Sequence, residues 1–231
     1  MTIRRDLRRL SSAGRVVRSH GGAAPAEQVL FEFQFLERTQ LAQQQKEEIG
    51  VAAARLVRDG QSVLLDSGTT TLALARQLRD RRGVTVITTS LPIASVLQRA
   101  PGVETLLLGG FVRRDTPDLG GPLTDANLDA LRADLAFVGA DGLDAVGNVY
   151  NGSIGIGQML AKMASRANRA YVVADGSKLG RTQLMKFGNV TAWHGLITDA
   201  AADPAFVETL RRAGVNVIVA DPLPTEGANS G

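Results

Sequence analysis

The stretch Ser62-Val63-Leu64-Leu65-Asp66-Ser67-Gly68-Thr69-Thr70-Thr71 decides the fold. Its first four residues read as a short buried strand, and the polar run behind them reads as a turn that opens a helix near 70–80. Upstream, Ile49, Ala52, Ala53, Leu56 and Val57 recur at i, i+3, i+4, i+7 and i+8, the stripe of a helix packed on one face, and Asp59-Gly60 stops it. Downstream, apolar β-rich runs follow at 84–88, 103–108, 135–138, 170–174, 196–198 and 215–219. Helical patterns lie near 91–99, 124–131, 155–168 and 204–213. Strands this uniformly apolar, alternating with helices, imply an α/β fold: a mostly parallel sheet with helices on both faces. No internal repeat is apparent, and 222–231 reads as a frayed tail.

Composition narrows the chemistry. The chain of 231 residues can bury one sizeable core and carry a small appendage. It has no cysteine, which excludes disulfides, thiolate metal sites and a cysteine nucleophile. His20 and His194 are too few and too separated for metal-ligand spacing, so no metal is expected, and His194 beside Trp193 reads as structural. Ser67 has no histidine near it to serve as a base, which argues against a serine triad. No catalytic residue and no cofactor is expected. No apolar run approaches the length of a membrane span, and the arginine-rich start lacks the apolar core of a secretory signal, so the expected location is the cytoplasm.

Charge is unevenly spread. Residues 1–20 hold Arg4, Arg5, Arg8, Arg9, Arg15 and Arg18 against a single carboxylate, Asp6. Such a cationic end on a near-neutral body is either a solvated tail or a surface for an anionic partner, nucleic acid before membrane. It has internal pattern: Ile3, Leu7 and Leu10 fall at helical spacing, Gly14 stands where a helix ends, and 15–20 reads as a ribbon that breaks at Gly21-Gly22. A basic helix followed by a basic ribbon is the back half of a winged helix-turn-helix. Residues 25–45 read as a connector, in which Phe31-Glu32-Phe33-Gln34-Phe35 alternates like a short edge strand. The expected division is 1–24 partial winged helix, 25–45 connector and 46–231 the α/β domain.

Four strand-end turns are candidate ligand contacts, because open α/β sheets bind ligands beyond the carboxyl ends of their strands. Asp66, Ser67, Gly68, Thr69, Thr70 and Thr71 put N–H and O–H donors at a helix N-terminus, a seat for phosphate beyond what simple capping requires. Gly109-Gly110 is either a close approach for a ligand or a plain turn. Asp141-Gly142 either meets sugar hydroxyls or braces its own turn. Lys178, one of four lysines beside twenty-two arginines, is either a point charge facing an anion or a surface side chain.

Taken together, these residues resemble one family. Thr2-Ile3-Arg4-Arg5-Asp6-Leu7 with Gly14, Arg18 and His20-Gly21-Gly22-Ala23 is similar to the recognition helix and wing of DeoR-type (GlpR-type) regulators. Asp66–Thr71, Leu108-Gly109-Gly110, Phe137–Gly142 and 174–178 resemble that family's sensor domain, in the same order along the chain. The resemblance implies a sensor with the fold of ribose-5-phosphate isomerase, and an oligomeric repressor of carbohydrate genes that leaves its operator when a phosphorylated sugar binds. It implies that Ser67, Gly68, Thr69, Thr70 and Thr71 hold the phosphate and that Asp141 and Lys178 line the sugar. Thr2, Arg4 and Arg5 would lie at the major groove, with Arg15, Arg18 and His20 on the wing.

Two departures from the family pattern follow. Family members carry two further helices before the Thr2–Leu7 run, where Met1 stands here, so the winged helix is expected to be truncated. Many relatives have asparagine at the position of Thr89, so the ligand contact there is expected to differ. The alternatives are a sensor-only sugar-phosphate-binding protein and an isomerase. The second lacks its proton-transfer groups: Val138 and Ala161 stand where isomerases carry carboxylates, and Tyr150-Asn151 where a pocket lysine belongs.

Overall fold

The computed structural model describes residues 16–19, 22–25, 35, 37–114 and 116–224. Its centre is a seven-stranded sheet of β3 (Ser62–Leu65), β4 (Val84–Thr88), β5 (Val103–Leu107), β8 (Ala133–Gly139), β11 (Ala167–Val173), β13 (Gly195–Thr198) and β14 (Val217–Val219). The spatial order is β14-β13-β11-β8-β3-β4-β5, and every neighbouring pair is parallel. This is the α/β architecture that the alternating pattern predicts.

The period of two along each strand divides the core into two layers. Leu64, Ala136, Val138, Val172 and Leu196 face one side, where they meet Met159, Leu160 and Met163 of α5 (Ile154–Ser165) and Val207 and Leu210 of α6 (Pro204–Arg212). Val63, Leu65, Leu135, Phe137, Val173 and Ile197 face the other side. There they meet α1 (Gln43–Ala54), α2 (Thr69–Gln77) and α3 (Leu91–Leu97). The expected stripe on α1 is seated as its spacing requires: Ile49 and Ala53 are fully buried, and Val57 beyond the helix end is buried too. α1 begins at Gln43, within the stretch 25–45 read as connector.

The chain runs outward from β3 through β4 to β5, then returns to the other side of β3 as β8 and continues through β11 to β14. The order therefore reverses between β3 and β8. At such a reversal the connections leave in opposite directions and open a crevice at the carboxyl ends of the strands.

Three smaller antiparallel pieces accompany the sheet among the described residues. Val16–Ser19 (β1) pairs with Gly22–Pro25 (β2). β6 (Phe111–Val112) pairs with β7 (Leu119–Gly120), just ahead of α4 (Pro122–Asp129). β10 (Asn148–Asn151) lies between β9 (Gly142–Leu143) and β12 (Met185–Asn189). The sequence pattern did not indicate the last two. One expectation is corrected: Phe35 is helical, as are residues 37–40, so it does not end an extended run. Phe31–Gln34 lie outside the described residues.

Candidate functional site

A cavity of about 420 Å³ lies over the β3/β8 reversal. Its walls come from the turn after β3, from Thr89 after β4, from 139–141 after β8 and from 174–178 after β11. α5 supplies an apolar side through Ile156, Met159 and Leu160, and Phe35, Arg38, Leu41, Ala42 and Lys46 close another. Strand ends thus provide polar groups while helices provide the apolar wall, the usual division in a small-molecule site.

The turn after β3 is built around Asp66. Its carboxylate accepts from Gly68 N–H at 2.9 Å, Gly139 N–H at 2.6 Å and the Thr71 hydroxyl, and so ties β3 to β8 across the reversal. Burial pushes the Asp66 carboxyl above the usual carboxylate range, with those three hydrogen bonds pulling the other way. Gly68 is the N-cap of α2 and provides no side-chain cap. The first-turn N–H groups are thus left without a side-chain cap at the positive end of the helix dipole, where Thr69 and Thr70 line the cavity.

Ser67 is oriented by a neighbour that the sequence did not suggest. Its hydroxyl donates to Asp118 Oδ2 at 2.8 Å, and Thr116 donates to Asp118 Oδ1 at 2.6 Å. Asp118 is fully buried, with Arg113 Nε 3.7 Å away. With its proton committed to Asp118, the Ser67 oxygen faces the cavity as an acceptor. Thr89 is also fully buried, and its hydroxyl has no hydrogen-bond partner among the described residues.

On the far side, Asp141 Oδ1 pairs with Arg38 at 3.2 Å and Oδ2 accepts from Gly152 N–H at 3.1 Å. Asp175 caps its own turn by accepting from Ser177 N–H at 3.0 Å, and Lys178 and Arg181 line the wall beside it. Among the described residues, no group of three or more histidines or carboxylates could hold a metal.

Comparison with known proteins decides the family. The DeoR C-terminal sensor domain matches residues 41–200, and the DeoR-like helix-turn-helix domain matches residues 1–29. This chain belongs to the DeoR family. It is 33% identical over 221 residues to the transcriptional repressor GlcR of Bacillus subtilis, covering 95% of this chain and 84% of that one. It is 34% identical over 217 residues to the lactose phosphotransferase system repressor of Lactococcus lactis, covering 90% of this chain and 82% of that one. Both relatives are named as repressors, not as enzymes. Ribose 5-phosphate isomerase A of Methanocaldococcus jannaschii is a similar solved structure, 24% identical with a TM-score of 0.44 over 58% of this chain and 53% of that one. No helix among the described residues of the DeoR-family chain is long and apolar enough to cross a membrane.

The expected contacts of this DeoR-family sensor divide by position. Asp66, Ser67, Gly68, Thr69, Thr70, Asp141 and Lys178 line the cavity together. Thr71 turns inward, fully buried, and donates to Asp66. Gly109 and Gly110 lie off the lining and serve packing: Gly109 O accepts from Thr124, and a Cβ on Gly110 would stand 2.2 Å from Thr124 Oγ1. Gly142 also lies off it, paired with Tyr150 and pressed against the Arg181 carbonyl. Thr2, Arg4, Arg5, Arg15 and His20 lie outside the described residues, and Arg18 falls on β1. The sequence reading missed Arg38, Lys46, Thr116 and Asn151 on the wall. For Lys46 a signal existed: a lysine in the first turns of a helix opposes the dipole and needs a reason to be there.

Proposed function

We propose that this DeoR-family protein represses genes of carbohydrate metabolism and that a phosphorylated sugar occupying the cavity relieves the repression. The observation that carries the reading is the N-terminus of α2, which has no side-chain cap, at a cavity lined by Ser67, Gly68, Thr69 and Thr70. Anions favour that place because unpaired N–H groups and the helix dipole act together. The phosphate sits against the first turn of α2, and the sugar hydroxyls reach toward Asp141, the Ser67 oxygen and the unpartnered Thr89 hydroxyl. Lys178 and Arg181 add positive charge. The Lactococcus relative, named for a lactose phosphotransferase system, supports a sugar as the effector class.

In this reading residues 1–24 meet DNA, 25–45 transmit, and 46–231 sense, in a homo-oligomer that spaces two DNA-reading ends. Thr2, Arg4 and Arg5 read the groove, while Arg15, Arg18 and His20 contact the backbone. Proton-transfer chemistry finds no support beside the cavity. Val138 is buried in the core layer beneath α5, and Lys162 is held by Asp129 at 2.8 Å and the Asp125 carbonyl.

Calorimetric titration of hexose and pentose phosphates tests the site. Binding at millimolar levels or tighter is expected, with Thr70→Ala losing about tenfold, the equivalent of one hydrogen bond to a charged group. A protein that takes up neither these compounds nor inorganic phosphate would remove the assignment.

A further inference from the structure

The chain enters the sensor across the cavity wall, and two cations hold it there. Residues 37–40 form a helical turn that stops because Ala42 takes a left-handed conformation, φ 52° and ψ 40°, before α1 begins. An alanine pays about 1–2 kcal/mol for that geometry, so something must hold it. Lys46 does: its ammonium donates to the carbonyls of Arg38 and, at 2.6 Å, of Leu41, closing the turn from beneath. Arg38 then reaches across to Asp141 on the β8 side. Phe35, Arg38, Leu41 and Ala42 all face the cavity. Lys46 is buried, and its partners are neutral carbonyls, not a carboxylate.

We propose that Lys46 is the positioning residue that couples occupancy of the cavity to residues 37–42: an anion in the cavity draws its ammonium from the Arg38 and Leu41 carbonyls and releases the left-handed turn at Ala42. The inference rests on the reading of the cavity as a phosphate site. A bond from ammonium to phosphate is charge-assisted and stronger than one to a neutral carbonyl, so the exchange runs toward the anion. The charges around Lys46 favour the same direction. Burial holds its ammonium down to about 8, Lys178 and Arg38 add to that, and Asp175 opposes them. Asp66, Asp141 and Arg181 complete the charged lining. An incoming anion offsets this frustration and restores the proton. The consequence reaches residues 37–42, within the connector that leads from the DNA-reading end to the sensor.

The test uses the full chain with glucose 6-phosphate, ribose 5-phosphate and inorganic phosphate. Calorimetry at pH 8 in buffers of different ionisation enthalpy should show uptake of about half a proton on binding, since a group with its pKa near 8 is half-deprotonated there. Lys46→Met should abolish that uptake. Lys46→Arg should bind without it, because a guanidinium is always charged. Hydrogen exchange at amides 37–46 should quicken at least severalfold on saturation in the parent and in Lys46→Arg, and stay unchanged in Lys46→Met. A phosphate that binds while exchange at 37–46 stays constant, or while proton uptake persists in Lys46→Met, overturns the coupling and leaves the site assignment standing. If none of the three anions binds, both fall.

Discussion

Thr89 shows how one side chain separates stability from function. Its hydroxyl is fully buried and has no partner among the described residues, which costs about 1–3 kcal/mol relative to a group that needs no partner. Asp66, a short distance away on the same cavity wall, is the opposite case: its carboxylate is buried but accepts three hydrogen bonds, so its burial serves the architecture. An orphaned hydroxyl beside a cavity is explained if the ligand supplies the missing partner. Thr89→Val, nearly isosteric, should therefore raise the stability of the ligand-free protein by about 1 kcal/mol and weaken sugar-phosphate binding by about tenfold. Urea denaturation and calorimetry on the same preparation measure the two effects. A variant that is less stable and binds unchanged would show that Thr89 serves packing alone.

The elements that place the cavity depend on a close crossing of α1 and α2. A Cβ on Gly50 would stand 2.9 Å from both the Ala73 carbonyl carbon and the Leu74 amide nitrogen, backbone atoms that cannot step aside. In an exposed helix interior, glycine to alanine gains about 1 kcal/mol. Here overpacking outweighs the gain, and Gly50→Ala should lose about 1–3 kcal/mol in chemical denaturation. A stabilised variant would mean that the two helices are free to separate.

The same scale shows what the sequence could convey. The central strands were legible because burial on both faces leaves apolar runs, as at 63–65 and 135–138. β8 begins earlier than its apolar run because Asp134 is satisfied across the sheet, accepting from Ser62 N–H and its hydroxyl. β9, β10 and β12 were hidden: two residues make no pattern, and Met185-Lys186-Phe187-Gly188-Asn189 is too polar for a core strand. Glycine is ambiguous for a related reason. Gly109-Gly110 and Gly68 both follow strands, yet only Gly68 lies on the cavity, and the difference is Thr124, fifteen residues from Gly109, packed against the pair. Lys46 and Arg38 carry no strand-end signal: they stand on the approach to the first core helix and in its first turns, where a cation reads as a solvated side chain.

Across the whole molecule, the cationic start of the sequence and the cavity are separate features. Six arginines fall among the first twenty residues, whereas the cavity draws its lining from Phe35 onward and lies at the carboxyl ends of the central strands. Any communication between them is a coupling free energy, and such a quantity is reciprocal. If a sugar phosphate weakens DNA binding by some factor, saturating DNA must weaken sugar-phosphate binding by the same factor, commonly about 5–150-fold. A duplex selected from random sequence for tight binding to the full chain supplies the DNA, and titrations in both orders supply the two factors. Equal factors, with Lys46→Met reducing both together, are expected of one two-state segment that both ligands bias. A phosphate that lowers DNA affinity only as much as the same ionic strength of chloride does would be acting as a counterion competitor at the arginines, and its effect would then survive in Lys46→Met. The salt control thus separates a signal carried through residues 37–42 from charge screening at the cationic end.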